Sequence, residues 1–365
     1  MPPPRYAIRL DPWAAEYEGA IQLPEAGDEP LGAVDLRVEL EDWAAVRPPS
    51  GPPPRRAFFV DGVRRIEHRL LIEDGGRTVF GLLASFGVGA VEVGEMARAG
   101  HERVGRVAVA GGGLALEPFE VVLGGHRMTF APETVAENTP MAPVQGLQSA
   151  MRRSEAGLAE RLAPEADVVF LDGPLTFLAS ARGPVVGFVK RQLRPYLEPR
   201  EASLLSRLEV GERTPLFLIE QVRESRYSWY LRIGAGRAVD SPLAGLVRLE
   251  TSASLELAAV RALADTSARY LPRFASDPAR DPRAPQNLYP VGALEARLRH
   301  RLGDATLIRR ATLAHLHEEA RSRTWDSAPL PLRGEGQGGG SMRRGAERER
   351  AFPSPYVGRD RVGGR

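Results

Sequence analysis

Two Asp-Gly pairs place carboxylates at equivalent points of two apolar segments. Asp61 follows AFFV and precedes Gly62, and Asp172 follows VVFL and precedes Gly173. A short apolar run of this kind is typical of a buried strand, so each Asp is predicted at the carboxyl end of a strand. Carboxylates side by side at strand ends can bind a hard divalent cation. The alternative interpretation is a pair of turn-forming Asp-Gly dipeptides.

A third carboxylate, Glu155, lies within a helical pattern. Leu147, Met151, Leu158 and Leu162 recur at steps of three and four residues, and Glu155 falls in the same row. A carboxylate that faces a core is costly unless a cation or hydrogen bonds compensate it. We therefore expect Glu155 to converge with the two Asp residues on a divalent metal. Alternatively, it lies at the edge of the apolar row and reaches solvent.

Lysine occurs once in the chain. Of the 49 Lys and Arg residues, Lys190 is the single Lys, and it follows the apolar run Val185–Val189, a predicted strand. A chain so biased towards Arg that keeps one Lys indicates a requirement for that side chain. An ordinary strand-end Lys is the alternative.

The elements around these residues predict how they are positioned. A helix from Gln145 to Pro164 carries Glu155, and an antiparallel meander of three strands precedes it. The meander is predicted at 57–60, 66–72 and 78–91, and three short strands within 92–144 predict an inserted β flap. Further strands are predicted at 216–220, 227–233 and 246–250, and helices at 254–270, 291–302 and 304–320.

Composition divides the chain into three parts. Residues 1–56 are predicted as an N-terminal β segment that ends in a Pro-rich linker, 57–325 as the main domain, and 326–365 as a disordered basic tail. Residues 331–365 hold eight Arg and four acidic residues, so their net charge is +4. The net charge of the whole chain is +2, so residues 1–330 have a net charge of −2. Any nucleic-acid surface on the folded part must therefore be a local patch.

The 365 residues are 43% hydrophobic and include no cysteine. This composition suffices for a sizeable core and excludes a thiol nucleophile and a disulfide framework. The N-terminus lacks the apolar region of a signal peptide, and the longest apolar run, 79–91, is too short to span a bilayer. We expect a soluble, cytoplasmic protein without membrane contact.

Other motifs give weaker indications. His315 and His317 are two residues apart on a predicted helix, so they face different directions and cannot chelate together. Tyr227, Trp229 and Tyr230 lie among Arg residues and could stack on single-stranded DNA, but a half-buried strand is the favoured interpretation.

The order of these elements resembles the ribonuclease-H-like nucleases, and several segments resemble the NurA family of DNA end-processing nucleases. The segments are AFFVDGVRRIEHRLL, VVFLDGPLTFLA, GPVVGFVKRQLRPYL and NLYPVGALEARLRHRLGD, and the resemblance covers roughly residues 5–320. It implies an α/β fold with a ribonuclease-H-like mixed-sheet core, a β-rich N-terminal region, an inserted β flap and C-terminal helices.

The resemblance also implies an activity. The chain would be a nuclease dependent on Mn²⁺ or Mg²⁺, with 5′-to-3′ exonuclease and single-strand endonuclease activity in double-strand-break repair. It would act on DNA ends and single-stranded DNA as a homodimer that docks on a HerA-type hexameric ATPase. Asp61, Glu155 and Asp172 would be the metal ligands, and Lys190 would lie near the scissile phosphate.

The chain departs from the family pattern near its C-terminus. Tyr289 and Pro290 match a Tyr-Pro of the family, but Arg297 stands where a His is expected, and the nearest histidine is His300. Tyr289 and His300 are therefore weaker candidates for the site.

Two rival functions stay open. One is a non-catalytic dimeric clamp or adaptor subunit of a DNA translocase. The other is a phosphotransferase of the actin/hexokinase type, which needs a second Asp-Gly phosphate loop that residues 210–320 do not supply.

Overall fold

Strands dominate the chain between residues 57 and 134, and helices cover both faces of the sheet that they form. The computed structural model describes residues 6–10, 32–178, 183–190, 195–220, 224–237, 239–277, 279, 281 and 283–326. The strands within these ranges are β1 (Tyr6–Leu10), β2 (Val34–Asp35), β3 (Ala57–Asp74), β4 (Arg77–Val93), β5 (Ala97–Ala110), β6 (Phe119–Leu123), β7 (His126–Thr134), β8 (Val168–Asp172), β9 (Val185–Val189), β10 (Phe217–Ile219), β11 (Arg226–Arg232) and β12 (Leu246–Ser252). The α-helices are α1 (Ala142–Leu162), α2 (Pro199–Ala202), α3 (Leu257–Tyr270), α4 (Tyr289–Arg301) and α5 (Ala305–Asp326).

The antiparallel meander is present, but its strands are longer than predicted. The segments 57–60 and 66–72 belong to one strand, β3, which pairs with β4 along its whole length and makes β5 the third strand. The hairpin turns at Gly75 and Gly76, whose φ angles of 56° and 86° are those of a type I′ turn. The expectation that Asp61 ends a strand is therefore wrong, because Asp61 pairs with Gly89 inside the ladder.

Parallel pairing joins the meander to the second half of the chain. Strand β8 lies parallel to both β3 and β9, and β9 pairs antiparallel with β12. The result is one mixed sheet of the described strands in the order β2-β10-β11-β12-β9-β8-β3-β4-β5-β7-β6, with β1 beside β3. The α/β class with a mixed sheet is thus confirmed.

Segment 92–144, predicted as a flap, contributes strands to this same sheet. Strand β5 continues the meander, β7 lies parallel to β5, and β6 closes an antiparallel hairpin with β7. Its hydrophobic side chains share a core with the β3–β4 hairpin and with Ile308 and Leu316 of α5.

The two faces of the sheet carry separate cores. On one face, Leu147 and Leu158 of α1 pack against Phe58 and Val60 of β3. On the other face, helices α3 and α4 pack on a core that contains Phe59 and Trp229, among others. Because side chains alternate along a strand, each residue of β3 is assigned to one face by its position.

The described N-terminal residues are tied to the sheet rather than apart from it. Strand β1 pairs with β3 and β2 pairs with β10. Arg213, only 1% exposed, binds Glu39 from the N-terminal segment and Asp265 from α3. Residues Met1–Ser322 form one compact unit and Arg323–Arg365 a second, of which the structure describes only residues 323–326.

Membrane-spanning helices are not found among the described residues, because no helix there is both long enough and apolar enough to cross a bilayer.

Candidate functional site

The strand register brings Asp61 and Asp172 side by side. Val60 and Leu171 are partners at the end of the parallel ladder between β3 and β8, so the next residue of each strand is an Asp. Alternation along both strands directs these carboxylates away from α1 and towards α4. Asp61 is 3% exposed. The two predicted acids therefore form an adjacent pair, one in mid-strand and one at a strand end.

Glu155 approaches from the opposite face of the sheet. It is fully buried on α1, and its Oε1 lies over Gly62, where a Cβ atom would come within 2.5 Å of that oxygen. Gly62 belongs to the β3 ladder and forms no turn. The glycine after Asp61 therefore provides room for a carboxylate, which is a different role from the one that an Asp-Gly turn predicts.

Two cations lie among the three acids. Arg152 Nη1 donates to Glu155 Oε2 at 3.0 Å and also to the backbone carbonyl of Asp172. Lys190 Nζ lies 3.0 Å from Asp172 Oδ1, and it donates to Asn287 Oδ1 at 3.1 Å. Arg152 thus connects α1 to the end of β8, and Lys190 connects β8 to the segment before α4.

The electrostatics of the three acids differ. Burial, followed by repulsion from Asp172, raises the pKa of Asp61 well above its usual range. Burial raises the pKa of Glu155 to about 7 despite the neighbouring Arg152. Burial acts on Asp172 as well, but Lys190 and Arg152 outweigh it and lower its pKa, and Asp61 donates a hydrogen bond to it. With all five groups ionised, the three acids and two cations leave one negative charge.

The same site leaves carboxylate oxygens without partners. Asp61 Oδ2 and Glu155 Oε1 are buried, and neither accepts a hydrogen bond from any described residue. Unpaired buried oxygens are rare and costly, and carboxylate oxygens are the donors that Mg²⁺ and Mn²⁺ prefer. The donor chemistry of the site therefore fits a hard divalent cation.

The present arrangement of these donors is not a completed metal site. Among the described residues, no group of three or more His, Cys, Asp or Glu side chains is placed so that it could hold a metal ion. The geometry explains this result, because Glu155 lies on the α1 face over Gly62 whereas the Asp side chains point to the other face. Arg152 also occupies one oxygen of Glu155, and Lys190 one of Asp172.

A polar network on the α4 side holds Lys190, and its residues were not predicted from the sequence. Asn287 is 1% exposed, and its Nδ2 donates to Asp281 Oδ2 at 2.6 Å, which leaves its Oδ1 for Lys190. Arg283 binds Asp281 and the buried Glu295 of α4. Asn287 belongs to the NLYP motif, and its position two residues before Tyr289 was the sequence signal that could have identified it.

A second group that was not predicted from the sequence holds the loop after Asp172. Glu250 of β12 is 1% exposed and accepts a hydrogen bond from the backbone N–H of Leu175 at 2.8 Å. It reaches this loop across Gly187 of β9, where a Cβ atom would lie 3.1 Å from Glu250 Cγ and 2.9 Å from the Gly173 carbonyl oxygen. Glu250 therefore fixes the chain just beyond the acid pair.

The weaker sequence candidates lie elsewhere. Tyr289 is 45% exposed at the start of α4, and its hydroxyl accepts a hydrogen bond from the Asp277 N–H. His300 is exposed near the end of the same helix, and Arg297 pairs with Glu102 of β5. None of the three is among the groups that shift the pKa values of the acids.

The aromatic strand residues serve the core. Trp229 is fully buried and Tyr230 is 2% exposed, so neither can stack on a nucleic-acid base, as the favoured interpretation predicts.

The fold is distantly similar to that of a solved nuclease. The crystal structure of the NurA nuclease from Sulfolobus solfataricus matches with a TM-score of 0.41 and 10% sequence identity, over 77% of this chain and 88% of that chain. No protein-family model matches the chain, and no curated protein matches it in sequence. A similarity of this extent assigns no role to any residue.

Proposed function

We propose that the protein is a metal-dependent nuclease that hydrolyses phosphodiester bonds in DNA. The observation that supports the proposal is the adjacent pair Asp61 and Asp172 beside the end of the β3–β8 ladder, with buried Glu155 over Gly62 on the other face of the sheet. Two of their buried oxygens have no hydrogen-bond partner among the described residues, which is costly for a merely structural cluster. A cation bound at the Asp pair would satisfy Asp61 Oδ2.

Asp61, Asp172 and Glu155 would hold Mn²⁺ or Mg²⁺. When bound, the metal supplies charge relief to the phosphate and a more acidic water. Asp61 has to release its proton before it can act as a ligand, so metal loading is favoured by rising pH. Glu155 lies on the far side of Gly62 and would have to turn its free oxygen towards the Asp pair.

The cations have distinct tasks in this mechanism. Lys190 provides a point charge for a non-bridging phosphate oxygen, and Asn287 keeps its ammonium beside Asp172. Arg152 binds Glu155 and the Asp172 carbonyl, so it orients the acids without reaching substrate.

Further features of the proposal rest on the sequence resemblance. These are action on DNA ends and single strands with 5′-to-3′ polarity, a role in double-strand-break repair, a homodimeric state, and a HerA-type hexameric ATPase as partner. A cytoplasmic location belongs with them.

A non-catalytic clamp or adaptor subunit is the second candidate. One observation favours it, because Arg152 and Lys190 already bind Glu155 and Asp172. In a clamp these ion pairs would be purely structural, and the unpartnered oxygens would have no use.

A digestion assay separates the two candidates. We expect the wild-type protein to degrade a labelled single-stranded oligonucleotide in Mn²⁺, and Asp61→Asn and Asp172→Asn each to lose at least about a hundredfold in rate. Asp35→Asn, on an exposed residue of β2, is the matched control and should cut like wild type. If the wild-type protein cuts nothing, or the Asp61 variant cuts as fast as the Asp35 variant, the nuclease proposal is wrong.

A further inference from the structure

Two neighbours with opposite hydrogen-bonding capacity contact the side-chain amide of Asn287. Lys190 Nζ donates to Asn287 Oδ1 at 3.1 Å, and Asn287 Nδ2 donates to Asp281 Oδ2 at 2.6 Å. An ammonium can only donate and an ionised carboxylate can only accept, so both neighbours require the same orientation of the amide. Asn287 is buried, and an amide turned by half a rotation would set its N–H groups against the ammonium and its oxygen against the carboxylate.

Asp281 is itself fixed by Arg283. Its Oδ1 accepts hydrogen bonds from the backbone N–H of Arg283 at 2.8 Å and from Nε at 3.3 Å, which leaves Oδ2 for Asn287. Burial acts to raise the pKa of Asp281, but the hydrogen bonds from Arg283 and Asn287 outweigh it and lower the value. The carboxylate therefore stays ionised at neutral pH and keeps an acceptor turned towards the amide.

Arg283 connects this group to helix α4. Its Nη1 and Nη2 donate to the two carboxylate oxygens of Glu295, at 2.8 and 3.2 Å, and Glu295 is 6% exposed. Arg283 thus joins Asp281 to a buried residue of α4, and hydrogen bonds run from that helix to the Lys190 ammonium. The position of the ammonium is therefore set from α4 as well as by its ion pair with Asp172.

The amide adds no negative charge beside Lys190. The ammonium has an ion pair with Asp172 Oδ1 at 3.0 Å, and Asn287 provides a neutral acceptor. An acid at position 287 would place a second carboxylate against the ammonium and would repel Asp281. A neutral amide that is oriented by a more distant acid therefore holds the ammonium in place and leaves its charge compensated by one carboxylate.

We propose that Asp281 is a positioning residue, which fixes the Asn287 amide and thereby holds the Lys190 ammonium in place. The carboxylate of Asp281 accepts hydrogen bonds from Arg283 and Asn287 and is 19% exposed, so it reaches the site through the amide. Its effect on rate rests on the proposed nuclease function, since that function assigns the phosphate contact to Lys190.

Lys190 can be observed directly, because it is the single Lys of the chain. Protein made with lysine that carries ¹³C at the ε-carbon gives one side-chain NMR signal, which is recorded in chelator and without DNA. We expect Asp281→Asn to move this signal towards that of free lysine and to lower the order parameter of the ε-methylene below about 0.6. The matched control is Asp74→Asn, because Asp74 also binds a neighbouring Arg and is 24% exposed. Its signal should match that of wild type.

An exchange of the two side chains tests the orientation of the amide. In the double variant Asp281→Asn/Asn287→Asp, the new carboxylate accepts from Lys190 and from the new amide, whose oxygen still accepts from Arg283. The net charge is unchanged and the order of donors and acceptors is restored. We expect the order parameter of Lys190 to return to the wild-type value. If Asp281→Asn alone does not fold, the double variant decides the question.

Steady-state cleavage in Mn²⁺ gives the second readout. Asp281→Asn should lower kcat about tenfold with KM within about twofold of wild type, and the double variant should recover most of the loss. A wild-type order parameter in Asp281→Asn would overturn the proposal, as would an equal fall in Asp74→Asn or a double variant as mobile as the single one. If the Lys190 signal behaves as expected but wild type cuts nothing, the nuclease proposal fails while the positioning of Lys190 by Asp281 stands.

Discussion

Two glutamates near β8 and β9 are both buried, but they differ in how many of their oxygens accept hydrogen bonds. Glu155 on α1 is fully buried and Glu250 on β12 is 1% exposed. Glu250 receives bonds from Arg226, Arg248 and the Leu175 N–H, so both of its oxygens are used. Glu155 receives a hydrogen bond from Arg152 on one oxygen, and no residue that the structure describes donates to the other.

The difference shows in their proton affinities. Burial acts to raise the pKa of Glu250, but Arg248 and Arg226 outweigh it and lower the value to about 2. Burial raises the pKa of Glu155 to about 7. A buried carboxylate whose hydrogen bonds are complete stabilises the fold, whereas one with an unpartnered oxygen is a candidate ligand-binding group. The same substitution at both sites should therefore have opposite consequences.

The largest effect is expected for Glu250→Gln. The neutral amide removes the charge that Glu250 presents to Arg226 and Arg248, and the loss of a partner from a buried ion pair costs about 3–5 kcal/mol. Urea unfolding in chelator measures the change. A variant that unfolds at the wild-type urea concentration would show that Glu250 and Glu155 do not differ as described.

Glu155→Gln should change activity instead of stability. In chelator we expect the variant to melt at the wild-type temperature or above it, because an unfavourable buried charge is removed. It should lose cleavage by about a hundredfold or more and lose the stabilisation that Mn²⁺ gives the wild-type protein. A variant that melts lower in chelator, yet still gains stability from Mn²⁺ and cuts DNA, would make Glu155 structural.

The pH dependence of stability sharpens the same comparison. The pKa of Glu155 is raised above the value of about 4.3 in the unfolded chain, so its ionisation destabilises the fold as the pH rises from about 4.3 to 7. The pKa of Glu250 is lowered, so it contributes stability that is present above about pH 4.3 and lost as the pH falls towards 2.

Thermal melts against pH in chelator provide the measurement. The advantage of Glu155→Gln over wild type should appear only above about pH 4.3 and be complete just above pH 7. The deficit of Glu250→Gln should be complete by about pH 5 and shrink in stronger acid. If the melting temperatures of the two variants depended on pH in the same way, the opposite pKa shifts of Glu155 and Glu250 would be contradicted.

The smallest effect is expected for Lys190→Arg. The guanidinium keeps the charge, but its planar group cannot place one nitrogen between Asp172 Oδ1 and Asn287 Oδ1 as the ammonium does. We expect kcat to fall about tenfold with stability within about 1 kcal/mol of wild type. Wild-type kcat in this variant would mean that a positive charge is sufficient at this position.

Local patterns in the sequence predict part of this site. The apolar runs before Asp61 and Asp172 and the periodicity around Glu155 predict elements that the structure contains. The prediction that Asp61 ends a strand is wrong. Gly62 makes room for Glu155 of helix α1, which lies far along the chain, and it does not form a turn. Their roles as metal ligands stay predictions.

The residues around the acids depend on distant pairing, which periodicity does not encode. Asn287 meets Lys190 only because the segment before α4 packs beside β9, and Glu250 meets Leu175 only across Gly187. Asn287 stands in the NLYP motif, but the motif does not indicate which residue it contacts, and Glu250 lies in no pattern that distinguishes it from an ordinary strand Glu. A resemblance confined to short motifs accordingly finds the acids and misses the groups that hold them.

The parallel pairing of β3 with β8 has a consequence for the order of events during synthesis. Asp61 leaves the ribosome long before Asp172, and Lys190 and Asn287 follow later still. Pairings of such high contact order form slowly and late. A nascent chain therefore exposes single aspartates that cannot act together, and the acid cluster becomes complete only once almost the whole compact unit has been made. A chain truncated before Asn287 therefore lacks the pairings that assemble the cluster.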